Sequence, residues 1–352
     1  MEPINSKIQN QLKKRLPFVV YSKPNSEGIT GFFQNNETLF KVNDFTEKGF
    51  VFASFDGAKT YLIPESESEL LHFSLDKKEM AFSGKELTKA GNVAKSDFTT
   101  LVANGIQAIK NEQFQKVVLS RTEKVELEDF DMVDAFKKLV LLYPSAFVYC
   151  FYHPKIGNWI GATPEQLLKF TENNFETISL AGTQKDTGSS EILWGEKEKE
   201  EQQFVTDYLV SRLKNVASAV QFTKPYSIKA GTIWHIKTDV SGVLNSDSSL
   251  KKVIQLLHPT PAVCGLPKEI AKDFILENEP YDRGFYTGFL GELNCSGTKE
   301  SISSDLFVNL RCMQIKHSQA HLYIGCGITK DSDPEKEWEE SVNKSMTMKK
   351  VL

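Results

Sequence analysis

The segment "DPEKEWEESVNK" (333–344) holds four glutamates within six residues, and its opening Asp-Pro pair predicts the start of a helix. Residues three and four apart lie on the same helical face. Glu337, Glu340 and Lys344 therefore share one line along the helix, whereas Glu335 and Glu339 share another. One line can face the interior and hold a ligand. The alternative is a charged helix surface that is solvated throughout.

A second helical segment, "EKEKEEQQFV" (196–205), repeats this spacing. Glu198 and Glu201 are three residues apart, and their line continues to the apolar Val205. Four carboxylates that face inward would repel one another in a dry site unless a cation balances them. Oxygen ligands without a neighbouring histidine or cysteine suit Mg²⁺, which binds through one or two carboxylates, water and an anionic substrate. The pairing favours a metal site, and a solvated charged face on each helix remains the alternative.

An arginine and two glycines lie in strand-like segments near the C-terminus. The run "LFVNLRCMQI" alternates, which predicts that Phe307, Asn309 and Arg311 share one strand face. An inward-facing arginine can bind a carboxylate through two parallel hydrogen bonds, and a surface charge is the alternative. In "YIGCGI", Gly325 and Gly327 share a face, as expected where a ligand or another backbone approaches closely or where a strand bulges.

A lysine and a glutamate complete the candidate chemistry. In "KVVLSR", Lys116 and Val118 share one strand face and Val117 and Leu119 share the other. In "GATPEQLLKF", Glu165 follows a Thr-Pro turn and precedes an apolar strand. Each residue alone is also consistent with an ordinary surface charge, Lys116 at a sheet edge and Glu165 at a rim.

The elements that must position these residues are strand meanders and long helices. Residues 1–95 predict a short helix and then strands, which we expect to form an antiparallel sheet. Residues 116–352 predict one motif laid out twice, consisting of a strand, a helical segment, a meander of strands and a long helix. We therefore predict a single α+β domain with large antiparallel sheets and helices packed outside them. Residues 1–95 form its N-terminal β-rich portion, and residues 96–352 carry the candidate site.

Composition restricts the class of protein. A net charge of −4 gives no basic footprint for nucleic acid, and no apolar run approaches the roughly 20 residues that span a bilayer. Five scattered cysteines without a CxxC motif, and a start without a signal peptide, predict a cytoplasmic protein. No nucleotide-binding glycine motif occurs. His317 and His321 lie in "KHSQAH", which reads as a hairpin turn rather than as a metal site.

Nine blocks of the sequence, in this order, together resemble the chorismate-utilising enzymes. The resemblance covers about residues 110–352 and fits the N-terminal sheet only loosely. Within that family it is greatest to the branch that forms isochorismate. It implies an α+β fold of antiparallel sheets with outer helices, a requirement for Mg²⁺, and chorismate, a dicarboxylate, as the substrate. The blocks are "KVVLSR", "GATPEQLL", "SLAGTQ", "EKEKEEQQFV", "HPTPAVCGLPK", "YDRGFYTGFLGEL", "LRCMQI", "GCGIT" and "DPEKEWEESVNK".

The resemblance also implies a role for each matching residue. Glu201 and Glu340 would bind Mg²⁺, with Glu198 and Glu337 reaching it through water. Lys116 would be the base and Glu165 the acid. Other residues would hold the substrate or line the pocket around its ring: Gly182, Thr183, His235, Ala262, Arg311, Gly325, Gly327 and Lys344.

The implied reaction is the isomerisation of chorismate to isochorismate, in which water attacks C2 and the C4 hydroxyl leaves. An enzyme that also expels pyruvate to give salicylate is the principal alternative. A relative that binds Mg²⁺ or carboxylates without catalysis is a more distant one. The intact "HPTPA" (258–262) and Trp338 favour isochorismate as the end product. We expect a monomer or a weak dimer, and the sequence leaves open whether the product serves menaquinone or siderophore synthesis.

Overall fold

The computed structural model describes residues 2–74, 92–186, 192–230, 233–296 and 301–352. Within these segments, no helix combines the length and the apolar character that a bilayer crossing needs. The helices are α1 Glu2–Lys14, α2 Asn92–Lys110, α3 Met132–Leu142, α4 Glu196–Leu213, α5 Leu250–Leu257, α6 Lys268–Asn278 and α7 Pro334–Lys349.

The strands follow the chain in short antiparallel meanders between these helices. The first six are β1 Phe18–Ser22, β2 Gly28–Gln34, β3 Phe40–Lys41, β4 Gly49–Ala53, β5 Thr60–Pro64 and β6 Ser68–Ser74. The next five, between α2 and α4, are β7 Lys116–Glu126, β8 Phe147–His153, β9 Gly157–Thr163, β10 Gln166–Thr171 and β11 Asn174–Lys185. The last eight are β12 Ala217–Phe222, β13 Tyr226–Ala230, β14 Ile233–Leu244, β15 Gly265–Leu266, β16 Phe289–Ser296, β17 Ile302–Val308, β18 Cys312–Lys316 and β19 Gln319–Ile328.

Two large sheets share these strands. Sheet A has the order β15-β7-β19-β18-β9-β8-β1-β2-β6, and sheet B has the order β12-β14-β11-β10-β17-β16-β4-β5-β3, with β13 also paired to β14. The two sheets pack face to face through an aromatic core. Phe52 of sheet B lies there between Phe151 of sheet A and Phe285, with ring centroids 4.6 and 4.3 Å apart. Burying rings of this size is the main apolar contribution to holding the sheets together.

Helices cover the outer faces of both sheets, as the α+β prediction required. Helices α4 and α5 pack apolar side chains such as Val205 and Leu257 on sheet B. Helix α3 packs on sheet A around Phe136, and α2 and α7 pack on β7 and β19. The α+β class with outer helices is therefore confirmed.

The N-terminal strands, expected to form an antiparallel sheet, are divided between the two sheets of the domain. Strands β1, β2 and β6 extend sheet A, while β3, β4 and β5 extend sheet B. The two later repeats also contribute to both sheets, so each sheet contains strands from three regions of the chain. The local alternation of residues 18–74 predicted strands correctly, but strand pairing depends on partners more than 100 residues away.

The segment with His317 and His321 forms the predicted hairpin. Strand β18 pairs with β19, and His317 lies in the turn between them with a φ of 54°. His321 lies within β19, opposite Gln314. The predicted hairpin turn is therefore confirmed at His317, whereas His321 belongs to the strand that follows it.

Candidate active site

One cavity, of about 180 Å³, collects the candidate residues at the place where β7 and β19 of sheet A meet β11 and β14 of sheet B. The N-terminal halves of α4 and α7 close it. All candidate residues except Thr183 line the cavity, namely Lys116, Glu165, Gly182, Glu198, Glu201, His235, Ala262, Arg311, Gly325, Gly327, Glu337, Glu340 and Lys344. Thr183 lies in β11 opposite His235, but its side chain is outside the described part of the structure.

The last helix separates its glutamates as the helical spacing predicted. Glu337 is buried, and Glu340 and Lys344 line the cavity beside it. Glu335 and Glu339 are exposed, and Glu335 forms a 2.5 Å ion pair with Lys95 on the surface. The charged segment therefore has one inward and one solvated line.

Helix α4 repeats this arrangement on the other sheet. Glu198 and Glu201 line the cavity, and Val205, one turn further along the same line, is buried against sheet B. The two helices thus bring four carboxylates into one cavity from opposite layers of the fold.

Lys116 joins the two layers through an ion pair. Its side chain is 6% exposed, and its Nζ lies 2.6 Å from Oε1 of Glu201 on α4. Val117 and Leu119 point to the helix side of sheet A, while Lys116 and Val118 line the cavity, as the alternation predicted. A Cβ on Gly327 of the neighbouring strand would lie 3.2 Å from Glu201 Oε1, so the glycine leaves room for this ion pair.

Lys344 forms the second ion pair of the cavity. Its Nζ lies 2.5 Å from Oε1 of Glu340 and donates a hydrogen bond of 3.1 Å to the carbonyl oxygen of Gly325. Burial lowers the pKa of Lys344, but the Glu340 carboxylate more than offsets this effect, so the pKa lies above its ordinary value. Lys344 is therefore a fixed positive charge at neutral pH.

Glu337 and Glu340 also offer metal-ligand atoms close together. Their carboxylate oxygens and the Sγ of Cys326 all lie within 4.8 Å of one another. Burial raises the pKa of the Cys326 thiol, which donates to the carbonyl oxygen of Glu337, so at neutral pH the thiol is a poor ligand. The donors available to a cation at this end of the cavity are thus carboxylate oxygens.

Glu165 lies in the short connection between β9 and β10 and is 6% exposed. Burial disfavours the charged carboxylate and raises its pKa to about 7, and the nearby positive charges of Lys116 and Arg311 only partly offset this effect. The protonated and the charged form of Glu165 are therefore both accessible near neutral pH. A carboxyl group with this pKa can both donate and accept a proton near pH 7.

The prediction that Phe307, Asn309 and Arg311 share one strand face is wrong, although Arg311 does reach the cavity. Strand β17 ends at Val308 in sheet B and β18 starts at Cys312 in sheet A, so the chain crosses between the sheets. Arg311 adopts a left-handed conformation with a φ of 46° at this crossing, and its carbonyl oxygen accepts from the Ala162 N–H.

The charge of Arg311 is available to a ligand. Burial lowers its pKa from the ordinary value, but a guanidinium remains protonated at neutral pH. Among the residues that the structure describes, no carboxylate lies within ion-pair distance of Arg311, whereas Lys116 and Lys344 each have one. An anionic ligand in the cavity would therefore meet an uncommitted cation.

His235 and Gly182 form one side of the cavity on sheet B. The His235 Nδ1 lies 3.0 Å from the carbonyl oxygen of Gly182, at a bulge between β11 and β14. Gly182 has a φ of +68°, which favours glycine, and a Cβ there would lie 3.2 Å from Glu198. Burial, followed by the charge of Arg311, lowers the pKa of His235 to about 4, so the imidazole is neutral at pH 7.

Two residues of the block "YDRGFYTGFLGEL" support the cavity and were not predicted individually. Tyr286 lines the cavity, and a Cβ on Gly325 would lie 2.7 Å from its hydroxyl. Arg283 is 2% exposed and donates to the carbonyl oxygens of Val118 and Val263 and to Thr287 Oγ1. Only the block as a whole was recognisable in the sequence, because these contacts join segments that are far apart in the chain.

Comparisons with known proteins identify the family of this chain. A family model described as "Chorismate binding enzyme" matches residues 36–352. The isochorismate synthase EntC of Escherichia coli (strain K12) is 32% identical over 267 residues, which cover 72% of this chain. The match covers 66% of EntC, so this chain spans just under two thirds of that relative's length.

Solved structures show the same fold. DhbC from Bacillus anthracis, described as a 2,3-dihydroxybenzoate-specific isochorismate synthase, superposes with a TM-score of 0.79 at 23% identity, covering 97% of this chain and 98% of that chain. MenF from Escherichia coli, described as a menaquinone-specific isochorismate synthase, also superposes with a TM-score of 0.79, at 20% identity. The superposition covers 96% of this chain and 88% of the MenF chain. At these identities the similarity establishes the fold.

We expect the Glu165 carboxyl to titrate near pH 7, against an ordinary value of 4.5, when followed by ¹³C NMR of a labelled side chain. The Lys116→Met variant should raise this pKa further, because a nearby positive charge that favours the carboxylate is lost. The Glu165→Gln variant identifies the resonance. A pKa near 4.5 in the wild-type protein would show that the carboxyl is solvated.

Proposed function

This chain belongs to the family of chorismate binding enzymes, and we propose that it converts chorismate into isochorismate. In this reaction water attacks C2 of the ring and the C4 hydroxyl leaves as water. The observation that carries the proposal is that a lysine, Lys116, and a buried carboxyl whose pKa is raised, Glu165, enter one cavity together with the uncommitted cation Arg311. These are the groups that a proton-coupled exchange on a dicarboxylate requires.

The substrate carboxylates have two cationic partners. Arg311 can bind one carboxylate through two parallel hydrogen bonds, and Lys344 supplies a second fixed charge. Gly325 and Gly327 keep the adjacent wall free of side chains, so a flat ring can approach the backbone of β19. His235, neutral at pH 7, and Ala262 line the remaining wall around the ring.

In this proposal Lys116 accepts the proton from the attacking water. An ammonium group cannot accept a proton, and in this structure the Lys116 Nζ is 2.6 Å from Glu201. Lys116 therefore has to leave Glu201 and lose its proton before it can act. A Cβ on the adjacent Gly327 would lie 3.4 Å from the Lys116 Cε, so the glycine keeps the wall beside this side chain uncrowded.

Glu165 donates the proton that allows the C4 hydroxyl to leave. Hydroxide is a poor leaving group, whereas water leaves readily once the oxygen is protonated. Burial keeps the pKa of Glu165 at about 7, so the acid form is populated at the pH where the base must also work. In the reverse direction Glu165 accepts the proton and Lys116 returns one.

The donor set of the cavity fits Mg²⁺. Glu198, Glu201, Glu337 and Glu340 offer only carboxylate oxygens, which are the protein ligands that this hard cation prefers. Their four negative charges exceed the three positive charges of Lys116, Lys344 and Arg311 in the same cavity, so a bound cation is favoured there. Glu201 and Glu340 would bind the ion, with Glu198 and Glu337 reaching it through water. Once bound, Mg²⁺ would neutralise a substrate carboxylate and fix the orientation of the ring.

Purified protein incubated with chorismate and Mg²⁺ should give a mixture of chorismate and isochorismate without pyruvate. Separation by liquid chromatography identifies the acids, and lactate dehydrogenase coupled to NADH oxidation measures pyruvate. Pyruvate in an amount equal to the chorismate consumed would show that the protein is a salicylate-forming enzyme instead. No product at all would favour a relative that only binds.

Glu340→Gln should weaken Mg²⁺ binding by more than about 10-fold, because a neutral amide cannot balance the dication as a carboxylate does. Isothermal titration calorimetry measures the affinity, and circular dichroism checks that the fold is intact. Glu339→Gln and Glu335→Gln, on the exposed line of the same helix, are matched controls and should bind Mg²⁺ normally. Unchanged affinity in Glu340→Gln would refute the metal site.

Lys116→Ala and Glu165→Gln should each reduce the rate by about 10²- to 10⁴-fold, the usual cost of losing a general base or acid. Each variant should be slowed by the same factor in both directions, because a catalyst cannot change the equilibrium. Rates are measured from chorismate and from isochorismate. Lys124→Ala, on the exposed part of β7, and Glu176→Gln, exposed on β11, serve as controls. Near-normal turnover by Lys116→Ala at neutral pH would show that another group activates the water.

A further inference from the structure

The loop between α5 and β15 places a buried hydroxyl beside Glu165. Thr260 Oγ1 lies 3.5 Å from Glu165 Oε1, at the long end of the hydrogen-bonding range, and Thr260 and Glu165 are 7% and 6% exposed. Among the residues that the structure describes, no other side chain forms a hydrogen bond with the Glu165 carboxyl group. Catalytic hydrogen bonds are often long in the absence of substrate and shorten when it binds.

The loop holds Thr260 in place through its backbone. The Thr260 carbonyl oxygen accepts hydrogen bonds from the N–H groups of Val263 (3.1 Å) and Cys264 (3.0 Å). Arg283 donates to the Val263 carbonyl oxygen, and the ring Nε2 of His258 lies 3.1 Å from the Ser54 carbonyl oxygen. The hydroxyl of Thr260 is therefore presented from a loop that is anchored at both ends.

A hydroxyl group suits a carboxyl that gains and loses a proton. It has one donor and two acceptor lone pairs, so it can donate to the carboxylate form and accept from the protonated form. A group that can only donate, such as an ammonium or a backbone N–H, could favour only the carboxylate form. The backbone of Glu165 is fixed separately, since its N–H donates to Thr163 Oγ1 and its carbonyl oxygen accepts from the Val308 N–H.

We propose that Thr260 is a positioning residue for Glu165, whose carboxyl it keeps directed at the reacting oxygen before and after proton transfer. This inference rests on the proposed function, in which Glu165 is the acid. The role is distinct from packing, because it requires the hydroxyl and not only the volume of the side chain.

The charged groups that face Glu165 set the expected pH effect. They are Lys116 from β7 and Arg311 from the crossing between β17 and β18, and both favour the carboxylate, against burial. A hydrogen bond donated by Thr260 favours the carboxylate as well. Loss of the hydroxyl should therefore raise the pKa of Glu165 and move the alkaline limit of activity, where the acid loses its proton, to higher pH.

The test compares Thr260→Val, which keeps the shape and removes the hydroxyl, with Thr260→Ser, which keeps the hydroxyl. Thr260→Val should lower kcat by between about 10- and 100-fold with little change in KM, as a misplaced catalytic group does. The alkaline limit of its pH profile should move to higher pH. Thr260→Ser should restore both kcat and the profile. If Thr260→Val does not fold, Thr260→Ala, which also lacks the hydroxyl, replaces it.

Thr177→Val is the matched control for the loss of a buried threonine hydroxyl. Thr177 is 3% exposed, and its hydroxyl donates a hydrogen bond to the Leu167 carbonyl oxygen in sheet B, outside the cavity. The Thr177→Val variant should leave the pH profile unchanged. A wild-type kcat in Thr260→Val, or a loss of kcat that is equally large in Thr260→Ser, would overturn the positioning role. The proposed function would still stand in that case, provided that the wild-type protein makes isochorismate and Glu165→Gln is impaired. A wild-type protein that makes no isochorismate would instead overturn the function.

Discussion

Charge balance inside a partly closed cavity is the constraint on which the arrangement of this protein depends. Four glutamates and a buried fifth carboxyl face one space, and isolated carboxylates there would cost several kcal/mol each in lost hydration. Two ion pairs reduce this cost, Lys116 with Glu201 at 2.6 Å and Lys344 with Glu340 at 2.5 Å. Among the described residues, Glu165 has no such partner within ion-pair distance. Burial instead raises its pKa to about 7, so the carboxyl avoids the cost of a buried charge by keeping its proton more readily.

The interleaved topology is what allows opposite charges to meet. Lys116 lies on sheet A, while Glu201 lies on α4, which packs on sheet B. Their ion pair therefore bridges the two layers, and the crossing at Arg311 connects the same layers through the backbone. Because all three chain regions contribute strands to both sheets, no single region contains the complete cavity. The cavity residues come from 116–201 and 235–344, so these two regions must pack together to assemble the proposed site.

Local periodicity allowed part of this site to be predicted. The spacing of Glu337, Glu340 and Lys344 against Glu339 divided the charged residues of α7 into two lines correctly, because helical geometry relates residues only three or four apart. Strand alternation failed at Arg311, where the chain leaves one sheet for the other. Thr260, Arg283 and Tyr286 were not predicted, because their contacts with the cavity join segments of the chain that pack together only in the folded protein.

The central claim is that an external water replaces the C4 hydroxyl, with Lys116 and Glu165 moving the protons. Isotope incorporation tests this most directly. Chorismate is converted in H₂¹⁸O, and isochorismate sampled early in the reaction is analysed by mass spectrometry with fragment assignment. The account predicts one ¹⁸O atom at C2 of each product molecule and release of the original C4 oxygen to solvent. Isochorismate that carries no ¹⁸O, with its original oxygen retained at C2, would mean transfer within the substrate and would contradict the assigned roles.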